Sequence, residues 1–307
     1  MCILTQKRYH MEVLRIDNLS KNYGHVKALD GLNLSVSKGQ VMGLLGPNGS
    51  GKTTTLGVIL GILNQTGGDY TWFENSYNGQ HRMRIGAILE TPNFYPYLNA
   101  DDNLDIVRQI KNVEEKNFDE LLSLVKLMGR RKSQFRTYSL GMKQRLAIAA
   151  TLIGNPEVVI FDEPTNGLDP EGIAEVRSIL KKVADDGRTV IMASHILDEV
   201  EKICSHVSIL KQGKLLSSGP VGSILSNDMM IEISSSDLNA LSEFLQTLTY
   251  VKTIQKEGSM LICTAEDSTK MSELNRLAMN AGHEINHLVG RKRKLEEEFL
   301  TITNQAK

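Results

Sequence analysis

The sequence predicts an α/β fold with an inserted helical region and a small C-terminal α+β domain. Three observations predict it. The apolar run Val41 to Leu45, the glycine-rich stretch Gly46 to Thr54 and the apolar segment Leu56 to Leu63 read as a buried strand, a tight turn and a helix start. Residues 158–163 run Val-Val-Ile-Phe-Asp-Glu, so four apolar residues suit the centre of a parallel sheet and two carboxylates fall at its carboxyl end. From about Asn227 the pattern changes to a β-α-β-β-α-β order.

The glycine-rich stretch is Gly46-Pro47-Asn48-Gly49-Ser50-Gly51-Lys52-Thr53-Thr54, and it satisfies G-x-x-x-x-G-K-[ST] in the strand–turn–helix setting that the motif needs. Its glycines let the backbone curl until successive N–H groups and the positive end of the following helix point at one anion. Lys52 adds a full charge near the outer phosphates, and the Thr53 hydroxyl is suited to ligate Mg²⁺. A nucleoside triphosphate is expected here. At the other strand end Asp162 suits a Mg²⁺ held through water, and Glu163 suits orienting and deprotonating an attacking water. A lone histidine after a strand is more often a satisfied structural residue. His195, however, follows the β-rich run Thr189 to Ala193 and is placed to reach the same edge as Glu163.

Composition narrows the class. At 307 residues the chain accommodates one large domain and a smaller one. A formal net charge of -1 does not mark a nucleic-acid binder, and none is expected as a partner. Cys2, Cys204 and Cys263 form no C-x-x-C pair and read as reduced thiols of a cytosolic protein. No apolar stretch approaches the ~20 residues that cross a bilayer. The start MCILTQKRYHM lacks a secretory pattern, so an intracellular ATPase is expected.

Along the chain, strands are expected at Glu12 to Ile16 and Leu32 to Val36, with Lys21-Asn22-Tyr23-Gly24 between them. Tyr23 suits stacking under a purine, which contributes about 1–3 kcal/mol; a tyrosine closing a strand end fits the local sequence equally well. Further strands are expected at Gly67 to Phe73 and Arg84 to Leu89. Helices follow at Asn103 to Asn112, Asp119 to Gly129 and Gly141 to Ile153, a helical subdomain of about 92–155, and then a helix from Glu171 to Ala184.

Residues 1–226 resemble the nucleotide-binding domain of an ABC transporter. The resemblance rests on Tyr23, the Gly46–Thr54 loop, a loop at Glu90, Tyr138-Ser139-Leu140-Gly141-Met142, Val158 to Pro164 with Gly167-Leu168-Asp169-Pro170, and Ser194-His195, all in family order. It implies a P-loop NTPase fold with a RecA-like core, an antiparallel β subdomain and a helical subdomain. It also implies ATP sandwiched between the phosphate loop of one domain and the signature loop of a partner, a second copy or a homologous domain. Ser139 and Gly141 would then contact the γ-phosphate held by the other protomer, Asp169 would communicate across the interface, and His195 would contact the γ-phosphate. The partner in the membrane would be a permease, with this chain peripheral at the cytoplasmic face.

Two positions depart from the family pattern. Leu140 stands where the commoner form has glycine, and Glu90 stands where the family has glutamine, a residue that donates as well as accepts. Glu90, placed to act at Mg²⁺ through water, and the following Thr91-Pro92 and Phe94-Tyr95-Pro96 resemble the subgroup that exports peptide antibiotics, as in lantibiotic immunity and bacitracin resistance. The alternatives are an exporter of another solute, or a soluble ATPase of the same type acting in translation, DNA repair or iron–sulfur assembly. Residues 227–307 resemble a ferredoxin-like appendage, with strands at Met229 to Ile233, Tyr250 to Gln255, Met260 to Thr264 and Glu284 to Val289 and helices at Leu238 to Leu248, Thr269 to Asn280 and Lys294 to Ile302. Within them His283-Glu284-Ile285-Asn286-His287 matches H-E-x-x-H, which binds zinc only on a helix. If extended, its two imidazoles lie ~13 Å apart, too far for one ion. The run Arg291 to Lys294 reads as a solvated helix entry.

Overall fold

The computed structural model describes residues 11–76, 80–224, 228–266, 270–292 and 295–305. Its first elements are two long antiparallel strands, β1 (Glu12–Tyr23) and β2 (Val26–Ser37). The short strands expected at 12–16 and 32–36 are corrected here, because pairing continues to Tyr23 opposite Val26. Register shifts between Ile16 and Asn22 interrupt the period-two alternation, so the polar half of the hairpin does not announce itself. Gly24, at φ 58°, supplies the left-handed turn between the strands.

Next come β3 (Val41–Leu45), α1 (Lys52–Ile59) and β4 (Gly67–Trp72), which returns to the free side of β1 and completes a sheet ordered β2-β1-β4. The Trp72 indole N–H donates to the Ile59 carbonyl at 2.8 Å, tying that sheet to the end of α1. After β5 (Ile85–Ile88) the chain enters the helical region: α2 (Ala100–Ile110), α3 (Asp119–Leu124) and α4 (Leu140–Thr151). Arg131 donates to both oxygens of Asp101 at 2.7 Å and to Asp119 at 2.6 Å, joining the first turns of α2 and α3. The far end of α4 sits against β5 with no room between them, since a Cβ on Gly86 would lie 2.1 Å from the Thr151 carbonyl oxygen.

The chain then builds β6 (Val158–Asp162), α5 (Pro170–Asp185), β7 (Thr189–Ser194), α6 (Leu197–Ile203), β8 (His206–Lys211) and β9 (Lys214–Pro220). The central sheet is ordered β5-β6-β7-β3-β8-β9 and is parallel except for β9. Every residue of β3, β6 and β7 is buried, as a sheet covered on both faces requires. One apolar core runs from β1 and β2 through α1 to β3, β6 and β7. Because β7 lies between β3 and β6, with Leu45 opposite Ser194 and Asp162 opposite Ala193, their three carboxyl ends emerge side by side. That adjacency builds the site.

The chain divides into two compact units after Pro220. The second holds α7 (Val221–Ile224), β10 (Met229–Ser235), α8 (Leu238–Gln246), β11 (Val251–Glu257), β12 (Met260–Ala265), α9 (Met271–Asn280), β13 (Ile285–Lys292) and α10 (Leu295–Gln305). Its sheet is antiparallel and ordered β11-β12-β10-β13, the ferredoxin-like arrangement, over a core that includes Ile231, Ile233, Leu241, Leu261 and Leu274. Residues 285–292 are extended, so the H-E-x-x-H segment lacks the helix its chemistry needs. The His283 ring packs 5.1 Å from Phe244, and His287 faces Glu232 at 4.0 Å. Cys2, Asn227, Thr269, Arg293 and Lys294 lie outside the described residues. Among those described, no helix is long and apolar enough to cross a membrane.

Candidate active site

The phosphate loop is shaped by what its glycines exclude. A Cβ on Gly46 would lie 2.3 Å from Ser50 Oγ and 2.4 Å from the Leu210 carbonyl oxygen. Gly51, at φ 107°, would drive a Cβ to 2.7 Å from the Ala28 carbonyl. Any side chain at either position would open the curl. Lys52 is buried; its ammonium donates to the Gly46 and Pro47 carbonyls at 2.8 and 3.3 Å and stands 3.5 Å from Glu163 Oε1. The sequence aims this charge at phosphate, and here it closes the loop on itself and meets the acid end of β6. Thr53 is exposed and borders a cavity of about 300 Å³ with Glu90, Leu140, Gln144, Asp162, Glu163 and Asn166.

Asp162 is 1% exposed, and neither carboxylate oxygen has a hydrogen-bond partner among the described residues. Burial raises its pKa; the Glu163 and Glu90 charges push the same way, while the Thr53 hydroxyl and Lys52 oppose them. A buried, partnerless carboxylate beside a threonine hydroxyl fits a cation. Among the described residues no three His, Cys, Asp or Glu side chains could hold a metal ion together. An ion held by Asp162 and Thr53 would complete its shell with water and phosphate oxygens, which is the habit of Mg²⁺.

Glu163 adopts a left-handed backbone, φ 49°, and donates its N–H to the Ala193 carbonyl at 2.9 Å. Its Oε2 lies 2.8 Å from His195 Nδ1. The carboxylate is therefore gripped from two sides, by Lys52 and by His195, at the mouth of the phosphate loop. Such a group is placed to accept a proton from a water.

Three other expected positions lie elsewhere. Tyr23 is 47% exposed at the hairpin tip, under the Lys21 ammonium at 5.0 Å from the ring centroid. Ser139, Gly141 and Asp169 line a second cavity of about 360 Å³ with Arg145 and Glu175. Ser139 caps α4, its Oγ accepting from the Met142 N–H at 3.3 Å, and Asp169 caps α5 by accepting from Gly172 at 2.9 Å. Leu140 borders both cavities and reaches toward Gly167, whose Cβ would meet Leu140 Cδ2 at 3.3 Å. Sequence reasoning passed over Gln144, and over a buried pair in which the Thr165 hydroxyl donates to Glu199 Oε2. Glu199 offers one local signal, a charged residue beside buried Val200 in α6.

A parallel sheet with a phosphate loop on β3, paired acids on β6 and a histidine on β7 defines a nucleotide-hydrolysing P-loop protein. The ABC transporter family model matches residues 29–166. The bacitracin transport ATP-binding protein BcrA of Bacillus licheniformis is 36% identical over 94% of this chain and 97% of its own length. The lantibiotic transport ATP-binding protein SrtF of Streptococcus pyogenes is 39% identical over 66% of this chain and 89% of its own. Among solved structures, cbiO1 of Clostridium perfringens, part of an ABC transporter complex, superposes with a TM-score of 0.62 at 26% identity, covering 77% of this chain and 94% of that one. A dimeric ATP-binding cassette in a post-hydrolysis state with ADP and Pi superposes at 0.60 with 25% identity, covering 68% of this chain and 98% of the other. The chain belongs to the ABC transporter family, as an ATP-binding subunit whose ATPase activity drives transport.

Proposed function

We propose that this chain hydrolyses Mg·ATP as one half of a head-to-tail pair and powers the export of a peptide antibiotic through a separate permease. The observation that carries the hydrolytic part is Glu163, held between Lys52 and His195 beside partnerless Asp162. In this reading the loop N–H groups of residues 46–54 bind the phosphates, Lys52 exchanges its backbone carbonyls for the outer phosphates, and Tyr23 stacks on the base. Mg²⁺, when bound, neutralises phosphate charge. Thr53 and Asp162 hold it, and Glu90 acts on its water shell. Glu163 takes the proton of the attacking water, while His195 orients Glu163 and reaches the γ-phosphate.

Ser139 and Gly141 line a cavity distinct from the one that Thr53 borders. Two nucleotides shared by two copies satisfy both cavities through two-fold symmetry. The peptide-antibiotic assignment takes its support from the full-length likeness to the bacitracin transport subunit. A permease contact at the cytoplasmic membrane face is supported by the exposed Tyr95 and Tyr97, which follow Glu90 directly.

The test is Glu163→Gln in the full chain. It is expected to bind Mg·ATP, to lose at least about 100-fold in turnover, and to elute as an ATP-dependent dimer in size-exclusion chromatography. Parental turnover would remove the role given to Glu163. Cells expressing the parent chain with its permease are expected to survive bacitracin or a lantibiotic better than cells expressing the variant; equal survival against a panel of such peptides would remove the substrate class.

A further inference from the structure

Two hydrogen bonds join the segment that bears Glu163 to the segment that bears His195. The first is the contact between their side chains at 2.8 Å. The second lies two residues beyond Glu163 and four beyond His195, where Thr165 Oγ1 donates to Glu199 Oε2 at 2.5 Å. The two differ in their exposure. The His195 side chain is 39% exposed, whereas Thr165 and Glu199 are each 1% exposed.

Stability gives no reason for a glutamate at this position. Its second oxygen, Oε1, has no hydrogen-bond partner among the described residues, and a buried half-satisfied carboxylate is costlier than an apolar side chain of similar size. What Glu199 does have is a firm mounting. It stands in the first turn of α6, and the next residue, Val200, lies so close to β3 that a Cβ on Gly43 would fall 2.5 Å from Val200 Cγ1. Glu199 is thus fixed to the strand that leads into the phosphate loop.

Its partner Thr165 belongs to a turn that needs holding. Glu163 sits at φ 49°, a region that costs a non-glycine residue about 1–3 kcal/mol and persists only where the surroundings over-determine it. The turn closes through Asn166 N–H to the Glu163 carbonyl at 3.1 Å and Leu168 N–H to the Thr165 carbonyl at 3.2 Å. Those bonds are internal to the segment and set its shape, not its place. The Thr165–Glu199 bond refers the segment to α6 and, through α6, to β3.

We propose that Glu199 is a positioning residue for hydrolysis. By holding Thr165 it fixes the turn at 163–168 so that the Glu163 carboxylate meets His195 over the phosphate loop. The inference deepens the reading of Glu163 as the base and rests on it.

Four full-length variants test it. Thr165→Val removes the donor and Glu199→Leu the acceptor, each at nearly constant volume, while Thr165→Ser and Glu199→Gln keep the bond. Turnover and KM for Mg·ATP, the Kd of a fluorescent ATP analogue, and the ring-nitrogen NMR signals of His195, assigned with His195→Ala, are measured on each. Thr165→Val and Glu199→Leu are expected to lose about tenfold or more in kcat, with KM and Kd within about twofold. They are also expected to displace the His195 Nδ1 signal. The conservative pair restores the rate to within about threefold of the parent.

Parental kcat and an unmoved His195 signal in Thr165→Val would overturn the proposal, as would a rise in KM and Kd without a fall in kcat, or Glu199→Gln as slow as Glu199→Leu. If Glu199→Leu does not fold, Thr165→Val decides. If the parent chain hydrolyses no ATP, the role of Glu163 fails on its own account. The His195 signal then still reports whether Thr165 positions the turn.

Discussion

Asp162 is the residue whose surroundings ask most for a ligand. Burial holds its pKa above the ordinary carboxylate value, so in the absence of a cation its charge works against the fold at neutral pH. A raised folded pKa contributes stability below the unfolded value near 3.8, and that contribution is lost as pH rises through the folded pKa. Asp162→Asn is therefore expected to stabilise the nucleotide-free chain at pH 7 by about 1–3 kcal/mol. The same change is expected to abolish the extra stability that Mg²⁺ adds to ATP. Thermal denaturation with and without Mg·ATP checks both, and a destabilised Asp162→Asn chain would contradict the assignment. The phosphate loop and the acid pair were legible in the sequence because their chemistry is local: glycine spacing and a strand end dictate them. The Thr165–Glu199 bond was not, because its partners are 34 residues apart and only the sheet order brings them together.

At the scale of elements, the helical region depends on how α4 ends. Lys111, just past α2, donates to the Thr151 and Ile153 carbonyls at 3.2 and 2.9 Å, serving carbonyls that the last turn leaves unpaired. Burial pulls its pKa from 10.5 to about 8. For a base with a lowered folded pKa, the stability contribution is present above the unfolded value and lost as pH falls through about 8. Relative to Lys111→Met, the parent is expected to gain about 2 kcal/mol between pH 8 and 10.5 in denaturant titrations; parallel pH profiles would contradict this. The helices themselves were readable from periodicity and from the Asn99, Ser139 and Asp169 caps. The hairpin of β1 and β2 was readable only in its apolar half. Beyond His195, α6 spans seven residues and β9 has no fully buried residue, so local pattern gives neither element away.

For the whole molecule, burial and coupling make separate predictions. Cys204 and Cys263 lie in different units, and burial pushes their thiols up to about 12 and about 11. Alkylation of the native chain at pH 7.5 is expected to leave both unmodified by mass spectrometry, and modification of either would show its unit opening. Glu90 borders the cavity that Thr53 and Asp162 share. Glu90→Gln is expected to leave ATP affinity within about twofold while lowering resistance in cells that carry the permease. Equal resistance from the two strains would show that a glutamine serves as well.

One contact gives the helical region its mechanical character. With Gly86 leaving no gap beneath Thr151, and Lys111 clasping the same end, α4 is seated on the central sheet like a rod in a socket. Its twelve residues reach ~18 Å to the tip that bears Ser139 and Leu140. A tilt of a few degrees at that fulcrum becomes a displacement of an ångström or so at the tip. A nudge delivered near β5 is thus geared up into the distance over which a phosphate is either grasped or missed.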